Sequence, residues 1–172
     1  KRLQLRSGEH LQYDILIVAS GSRSNKFGWP GQDLDGVQGL YSIQDLEKME
    51  QNTSETEKAV LIGGGLIGVE MAEMLLSRNI DVTFLIRESA FWRNVLPVQE
   101  ANLISKHIAS HGVTLIFNTR LKEIQQGSTN RVARIITHQD EAFDCQFVGL
   151  TAGVSPPINF ISQSGISTTR GV

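Results

Sequence analysis

The sequence predicts an α/β fold: a central parallel sheet with helices on one face and a β-meander crossover on the other. Three observations lead to it. Lys58 to Arg87 reads as strand, glycine turn, helix and strand over about thirty residues, the length of a βαβ unit. Apolar runs at Ile15–Ala19 and Phe147–Leu150, each opening into a glycine-containing turn, read as strands buried on both faces. From Leu121 to Phe143, short alternating runs are broken by Gln126-Gly127-Ser128 and Gln139-Asp140-Glu141, which reads as an antiparallel meander or crossover and not another helix.

Taken in order, Lys1 to Tyr13 predicts a hairpin, with Leu3 and Leu5 going out, Ser7-Gly8-Glu9 turning, and Leu11 and Tyr13 coming back. Ile15–Ala19 follows as a strand ending at Ser20-Gly21-Ser22. Arg23 to Gly39 is rich in Gly, Pro, Asn and Asp and reads as loop or linker. Ser42 is placed to cap a helix through Met49, with Asp45 three residues on to complete a capping box. Glu50 to Glu57 is a polar connection into the strand Ala59–Ile62. The next helix sets Ile67, Met71, Met74 and Leu75 on one face, and Asp81–Ile86 returns as a strand. After a loop from Glu88 to Leu96, Pro97 opens a helix, where its missing N–H costs nothing. That helix turns Ala101, Ile104 and Ile108 inward and stops at Gly112. Val113–Phe117 is a third strand of the sheet. The tail from Ser155 onward has no periodicity.

Composition narrows the function. The chain has 172 residues, 40% hydrophobic and 20% charged, enough for one good core. A net charge of -2 gives no expectation of a nucleic-acid or anionic-membrane partner. No apolar run approaches the roughly 20 residues of a membrane span, and the charged opening predicts no signal peptide. The single cysteine, Cys145, allows neither an internal disulfide nor a C-x-x-C pair and fits a reducing, cytoplasmic setting.

The chemistry centres on Gly63-Gly64-Gly65-Leu66-Ile67-Gly68, a G-x-G-x-x-G string between strand and helix. In that context Gly63 permits the tight turn, Gly65 lets backbone N–H groups approach a pyrophosphate, and Gly68 lets the helix pack close to the sheet. Ala72 keeps that contact narrow one turn later. The helix N-terminus presents unpaired N–H groups and a positive dipole end to the anion. The bland alternative is a glycine turn that only joins strand to helix; the flanking strands and the spacing favour the nucleotide.

Arg87 falls where such a site reads the adenosine ribose. A guanidinium there suits a 2′-phosphate, Arg93 could add a second cation, and Glu88 could instead accept from a ribose hydroxyl. The pattern leans to NADPH over NADH. Phe91 and Trp92 beside them are adenine covers or plain packing, packing being the commoner use. Glu70 in the first turn of the helix has a bland reading as a carboxylate favourable to the dipole. His107 and His111 read as helix surface, no metal site is expected, and Cys145 reads as a packed thiol. No nucleophile set assembles.

At this point the chain resembles the pyridine nucleotide-disulfide oxidoreductase superfamily, FAD-dependent enzymes that use NAD(P)H. Tyr13-Asp14-Ile15-Leu16-Ile17-Val18-Ala19-Ser20-Gly21-Ser22 is similar to the family's Y-D-x-L-h-h-A-T-G-S, with Ser20 for Thr. Trp29-Pro30-Gly31 resembles its x-P-G linker. Gly63 to Glu73 resembles its second glycine motif, and Phe143 to Gly153 its strand ending in A-x-G. The family's first FAD-binding glycine motif and its later G-D segment do not occur. The resemblance therefore implies a Rossmann-like FAD/NAD(P)-binding fold in a central fragment. Residues 1–35 would be a strip of FAD domain and linker, 36–153 the NAD(P)H-binding domain, and 154–172 a return toward the second half of the FAD domain.

It further implies that Gly63–Gly68, Arg87, Glu88, Arg93, Ala152 and Gly153 serve NAD(P)H. Ala19, Ser20 and Gly21 would serve FAD, and Glu70 would help position a partner at the flavin–nicotinamide junction. No catalytic residue is assignable. The expected activity belongs to a longer parent: hydride from NAD(P)H to FAD, then electrons to a disulfide, an electron-carrier protein or another acceptor, in a protein that could be a homodimer. A non-catalytic nucleotide-sensing or interaction module on the same fold is the alternative. A methyltransferase with a glycine-rich first loop is disfavoured by the three-glycine spacing and by Arg87 standing where a ribose-binding acid would sit.

Overall fold

The computed structural model describes residues 1–161 and 164–169. It divides into two compact units, Lys1–Ser22 with Pro156–Val172, and Arg23–Ser155. The 23–35 stretch read as linker thus packs with the larger unit. Of the return segment 154–172, residues 162–163 and 170–172 lie outside the described residues.

In the smaller unit β1 (Arg2–Gln4) and β2 (His10–Gln12) pair antiparallel, with Leu3 opposite Leu11, and Gly8 turns at φ +93. The predicted strand at Ile15–Ala19 is not one. No described residue pairs with it, and Ile15 and Ile17 are each 84% exposed. An apolar run signals burial, but a strand buried on both faces also needs a ladder partner on each side.

The larger unit begins with β3 (Arg23–Ser24) and β4 (Val37–Gln38). Then α1 (Ile43–Asn52) starts at the capping box expected of Ser42 and Asp45. β5 (Lys58–Ile62), α2 (Leu66–Leu76) and β6 (Asp81–Leu85) form the βαβ unit. α3 (Val98–Ser110) has Pro97 at its N-cap and Gly112 at φ +85 beyond its end. β7 (Thr114–Ile116) leads into β8 (Leu121–Gln126), β9 (Val132–Thr137) and β10 (Ala142–Asp144), the antiparallel meander. β11 (Phe147–Leu150) returns to the sheet, and β12 (Val154–Ser155) pairs back onto β3.

The parallel sheet runs β4-β11-β5-β6-β7. β4, two residues inside the stretch read as loop, is its edge strand; so short a run carries no periodicity to detect. Side chains alternate across the sheet. Ala59, Leu61, Val82, Phe84 and Phe147 join Met49, Met71 and Leu75 in a core under the helices. Val60, Ile62, Leu85, Val148 and Leu150 join Leu121, Ile124 and Ile135 in a second core under the meander. Each face of the sheet is thus covered by a different layer, as predicted. Cys145 is fully buried in the meander core, and burial, with Asp144 beside it, pushes its thiol up to about 12. It is a packed thiol.

Candidate functional site

The glycine turn stands at the carboxyl ends of β5 and β6. Gly63 has φ +101, and its N–H donates to Leu85 O at 3.0 Å, prolonging the ladder before the chain turns off the sheet. Just past β11, Thr151 Oγ1 donates to Gly63 O at 2.8 Å and to Ile62 O at 3.1 Å and tethers the turn. A Cβ on Gly68 would come within 3.0 Å of Gly63 O, of Phe84 in β6 and of Thr151 Oγ1. This is the close helix–sheet approach expected of that glycine.

Gly64 is held from outside. A Cβ there would sit 3.1 Å from the ring of Phe91, which is fully buried and stacks edge-on to Phe84 at 5.5 Å. Gly65 differs from the other three. Its φ of -81 and ψ of 177 suit any residue, and a Cβ would meet only Thr151 O, at an ordinary 3.6 Å. The protein itself has no need of glycine at this position. Gly65 is also the N-cap of α2, and no side chain caps the helix there.

In front of the turn lies a cleft of about 480 Å³. Gly63, Gly64, Gly65, Arg87, Glu88, Arg93, Ala152 and Gly153 line it, so the fold gathers these predicted residues in one place. Leu66, Ile67 and Gly68 lie at and behind the helix start, off the cleft wall. Glu70 is exposed and borders a separate shallow groove with Tyr41, Ile43, Leu46 and Met74. Ala19, Ser20 and Gly21 are exposed in the smaller unit. Among the described residues, no cluster of three or more His, Cys, Asp or Glu could hold a metal. His107 on α3 and His111 at its C-cap are both exposed.

The cleft wall is cationic. Arg87 Nη2 and Nε donate to Glu88 Oε1 at 2.8 and 3.1 Å, and Asn94 Nδ2 donates to the same oxygen at 2.9 Å. Partial burial is the largest single influence on Glu88 and works against its charge, but the Arg87 hydrogen bond, a backbone hydrogen bond, the Arg87 charge and the Asn94 hydrogen bond together outweigh it and leave the carboxyl below the usual carboxylate range. Glu88 therefore titrates as a partner of Arg87 and is held ionised at neutral pH. It is the one carboxylate among the described lining residues, against Arg87, Arg93, Arg120 and His138. Arg120 and His138 were not singled out from the sequence. They precede β8 and follow β9, and only the meander's fold over the sheet, with His138 N–H donating to Arg120 O at 3.0 Å, brings them here. Phe27 and Trp29, in edge contact at 5.0 Å, complete the wall. Trp92 lines it too, and its indole N–H donates to Gly64 O at 2.7 Å.

A glycine turn at the carboxyl edge of a parallel sheet, with helices on one face and a meander on the other, defines an α/β fold of the Rossmann-like FAD/NAD(P)-binding type. The chain belongs to the pyridine nucleotide-disulphide oxidoreductase family, whose model matches residues 1–172.

Among curated relatives it is 30% identical over 162 residues to the assimilatory nitrate reductase electron transfer subunit of Bacillus subtilis, covering 94% of this chain and 21% of that protein. Among solved structures it matches an FAD-dependent pyridine nucleotide-disulphide oxidoreductase from Desulfovibrio vulgaris at 30% identity and a TM-score of 0.81, covering 98% of this chain and 43% of that one. A ferredoxin reductase from Rhodopseudomonas palustris matches at 23% identity and a TM-score of 0.92, covering 99% of this chain and 42% of that one. The chain spans less than half the length of each of these proteins. No helix among the described residues is long and apolar enough to cross a membrane.

Proposed function

We propose that this chain contributes the NAD(P)H-binding domain, residues 36–153, of a longer FAD-dependent oxidoreductase. The observation that carries this reading is Gly65. The three glycines around it are required by the protein's own packing or backbone, whereas Gly65 keeps open a space that the protein does not fill. A backbone held clear of side chains at an uncapped helix N-terminus fits a diphosphate. The amides of Gly65, Leu66 and Ile67 would hold it, with Ala152 and Gly153 closing the far side. The cationic wall would take the adenosine end, and Arg87 with Arg93 supports a 2′-phosphate and hence NADPH. Arg87 spends its Nε and Nη2 donors on Glu88, which orients the guanidinium and leaves its Nη1 donors and one N–H of Nη2 for the anion.

When bound, NAD(P)H supplies a hydride and FAD accepts it; the protein's part is to orient and shield them. In this structure Ala19–Gly21 is an exposed segment without a ladder partner and forms no cradle for a flavin. FAD is accordingly assigned to the longer parent, with residues 1–35 as a strip of its FAD domain and a linker, the 23–35 part of which packs with the larger unit, and 154–172 as a return toward the rest of that domain. Glu70, off the cleft, is assigned to the flavin side. The names of the relatives support an electron-carrier protein as acceptor; a cytoplasmic setting and a homodimer are assigned to the longer parent.

Calorimetric titration with NADPH and NADH tests the reading. Both should bind saturably, NADPH more tightly. Arg87→Glu should lower the NADPH-to-NADH affinity ratio about tenfold or more, the worth of one charged hydrogen bond exchanged for repulsion. Unchanged selectivity would remove Arg87 from the assignment, and no saturable binding of either coenzyme would overturn the function.

A further inference from the structure

Gly64 and Gly65 share one of the two peptides in the turn that have a glycine on each side. With a glycine on each side, that plane can rotate with little steric resistance, because neither residue has a Cβ to define the allowed wells. The choice matters to an anion. In a trans peptide the carbonyl and the following N–H point to opposite sides, so a rotated plane would exchange a donor for a carbonyl oxygen. There are no cis peptides among the described residues.

One contact fixes this plane. The Trp92 indole N–H donates to Gly64 O at 2.7 Å across 28 positions of sequence. Indole is a donor only, so it can stabilise the carbonyl in one direction and no other. The tryptophan is itself held with some force. It adopts φ +55, a left-handed value unusual for a bulky residue, and its carbonyl accepts from the N–H groups of Val95 and Leu96, both at 2.9 Å. Phe91 before it is fully buried against Gly64, and its N–H donates at 3.0 Å to Ser105 Oγ, which in turn donates to Ala101 O at 2.7 Å. A line of contacts thus runs from the interior of α3 through Ser105 and Phe91 to the glycine turn. Strain of this kind is retained where the surroundings over-determine it.

We infer that Trp92 is a positioning residue for the diphosphate of the bound nucleotide: its indole N–H holds the Gly64 carbonyl, so that the Gly65 N–H on the other side of the peptide is set as a donor to the anion. The inference rests on the nucleotide reading of the cleft. It gives a specific use to an aromatic residue that would otherwise count as packing. A ring that only packed against the loop would act equally well without its N–H.

Trp92→Phe keeps an aromatic ring and removes the donor. Two probes divide the site: ADP carries the 5′-diphosphate, and adenosine 2′-monophosphate does not. In the full chain, Trp92→Phe should weaken ADP by about three- to tenfold, the worth of one hydrogen bond, and leave adenosine 2′-monophosphate unchanged. The Gly65 amide resonance of the unsubstituted protein should move on ADP addition, and in Trp92→Phe it should move less. Equal ADP affinity in the two proteins would overturn the inference and leave the nucleotide site standing. An equal loss for both probes would also overturn it, marking Trp92 as structural. Failure of the unsubstituted protein to bind either probe would remove the nucleotide reading beneath it. If Trp92→Phe does not fold, an unmoved Gly65 amide in the unsubstituted protein at saturating ADP still refutes the role.

Discussion

Gly65→Val is expected to abolish coenzyme binding while leaving the fold nearly intact. The backbone at Gly65 is extended, a conformation that β-branched residues favour, and a Cβ would touch only Thr151 O at 3.6 Å. The cost to the fold is that of an unfavourable N-cap, about 1 kcal/mol. The cost to binding is larger, because a side chain at this point holds the diphosphate away from the amides at the start of α2. Losing one or two charge-assisted hydrogen bonds costs about 3 kcal/mol, or roughly a hundredfold in affinity. Circular dichroism should show an unchanged spectrum and a melting temperature lowered by a few degrees. Titration should show NADPH binding gone or weakened by that factor. The same substitution at Gly68 would not separate the two effects, since a Cβ there runs into Phe84 and Thr151.

Gly31→Ala should produce the largest loss of stability of any single methyl added to the chain's glycine turns. Gly31 has φ +81, and a Cβ built on it would lie 2.0 Å from the Ile124 carbonyl oxygen and 2.8 Å from its carbon. Those atoms are backbone, held in β8, and the neighbouring Ile124 N–H donates to Pro30 O at 2.8 Å. Nothing flexible can yield. Either the Trp29-Pro30-Gly31 turn leaves β8 or β8 leaves the meander core. The left-handed backbone adds its own penalty for alanine. Together these should cost about 2–4 kcal/mol in denaturant unfolding. Gly28→Ala is the internal comparison, because Gly28 has φ +79 with nothing within 4 Å of its missing Cβ. It should lose only the backbone part, about 1 kcal/mol. Equal losses at the two positions would mean that contact with β8 is not what Gly31 is for.

The βαβ unit was legible because two short apolar runs, buried as β5 and β6, flank a helix with one apolar face and meet it at one glycine string. Ser42 and Asp45 were legible because a capping box is wholly local. Ile15–Ala19 failed for the converse reason: its apolar residues state what the segment would bury, not whether a partner strand is there.

The candidate site divides along the same line. Gly63–Gly65, Arg87, Glu88 and Arg93 lie within one supersecondary unit, so spacing was enough to find them. Arg120, His138 and Trp29 reach the cleft only through the meander and the turn that docks on it. The Trp92 hydrogen bond depends on a left-handed residue in an irregular loop, which no pattern of side chains announces. Glu70 shows a limit of helical reasoning: being in the first turn of α2 does not put it on the cleft wall, since its face of the helix looks onto the groove beside α1.

The most direct test of the account follows the backbone amides during titration with NADPH by 1H–15N correlation spectroscopy. The account predicts saturable shifts centred on Gly63 to Gly68, with a second set at Arg87 to Asn94. Saturation without movement in the Gly63–Gly68 amides, or no saturable shift at all, would contradict it.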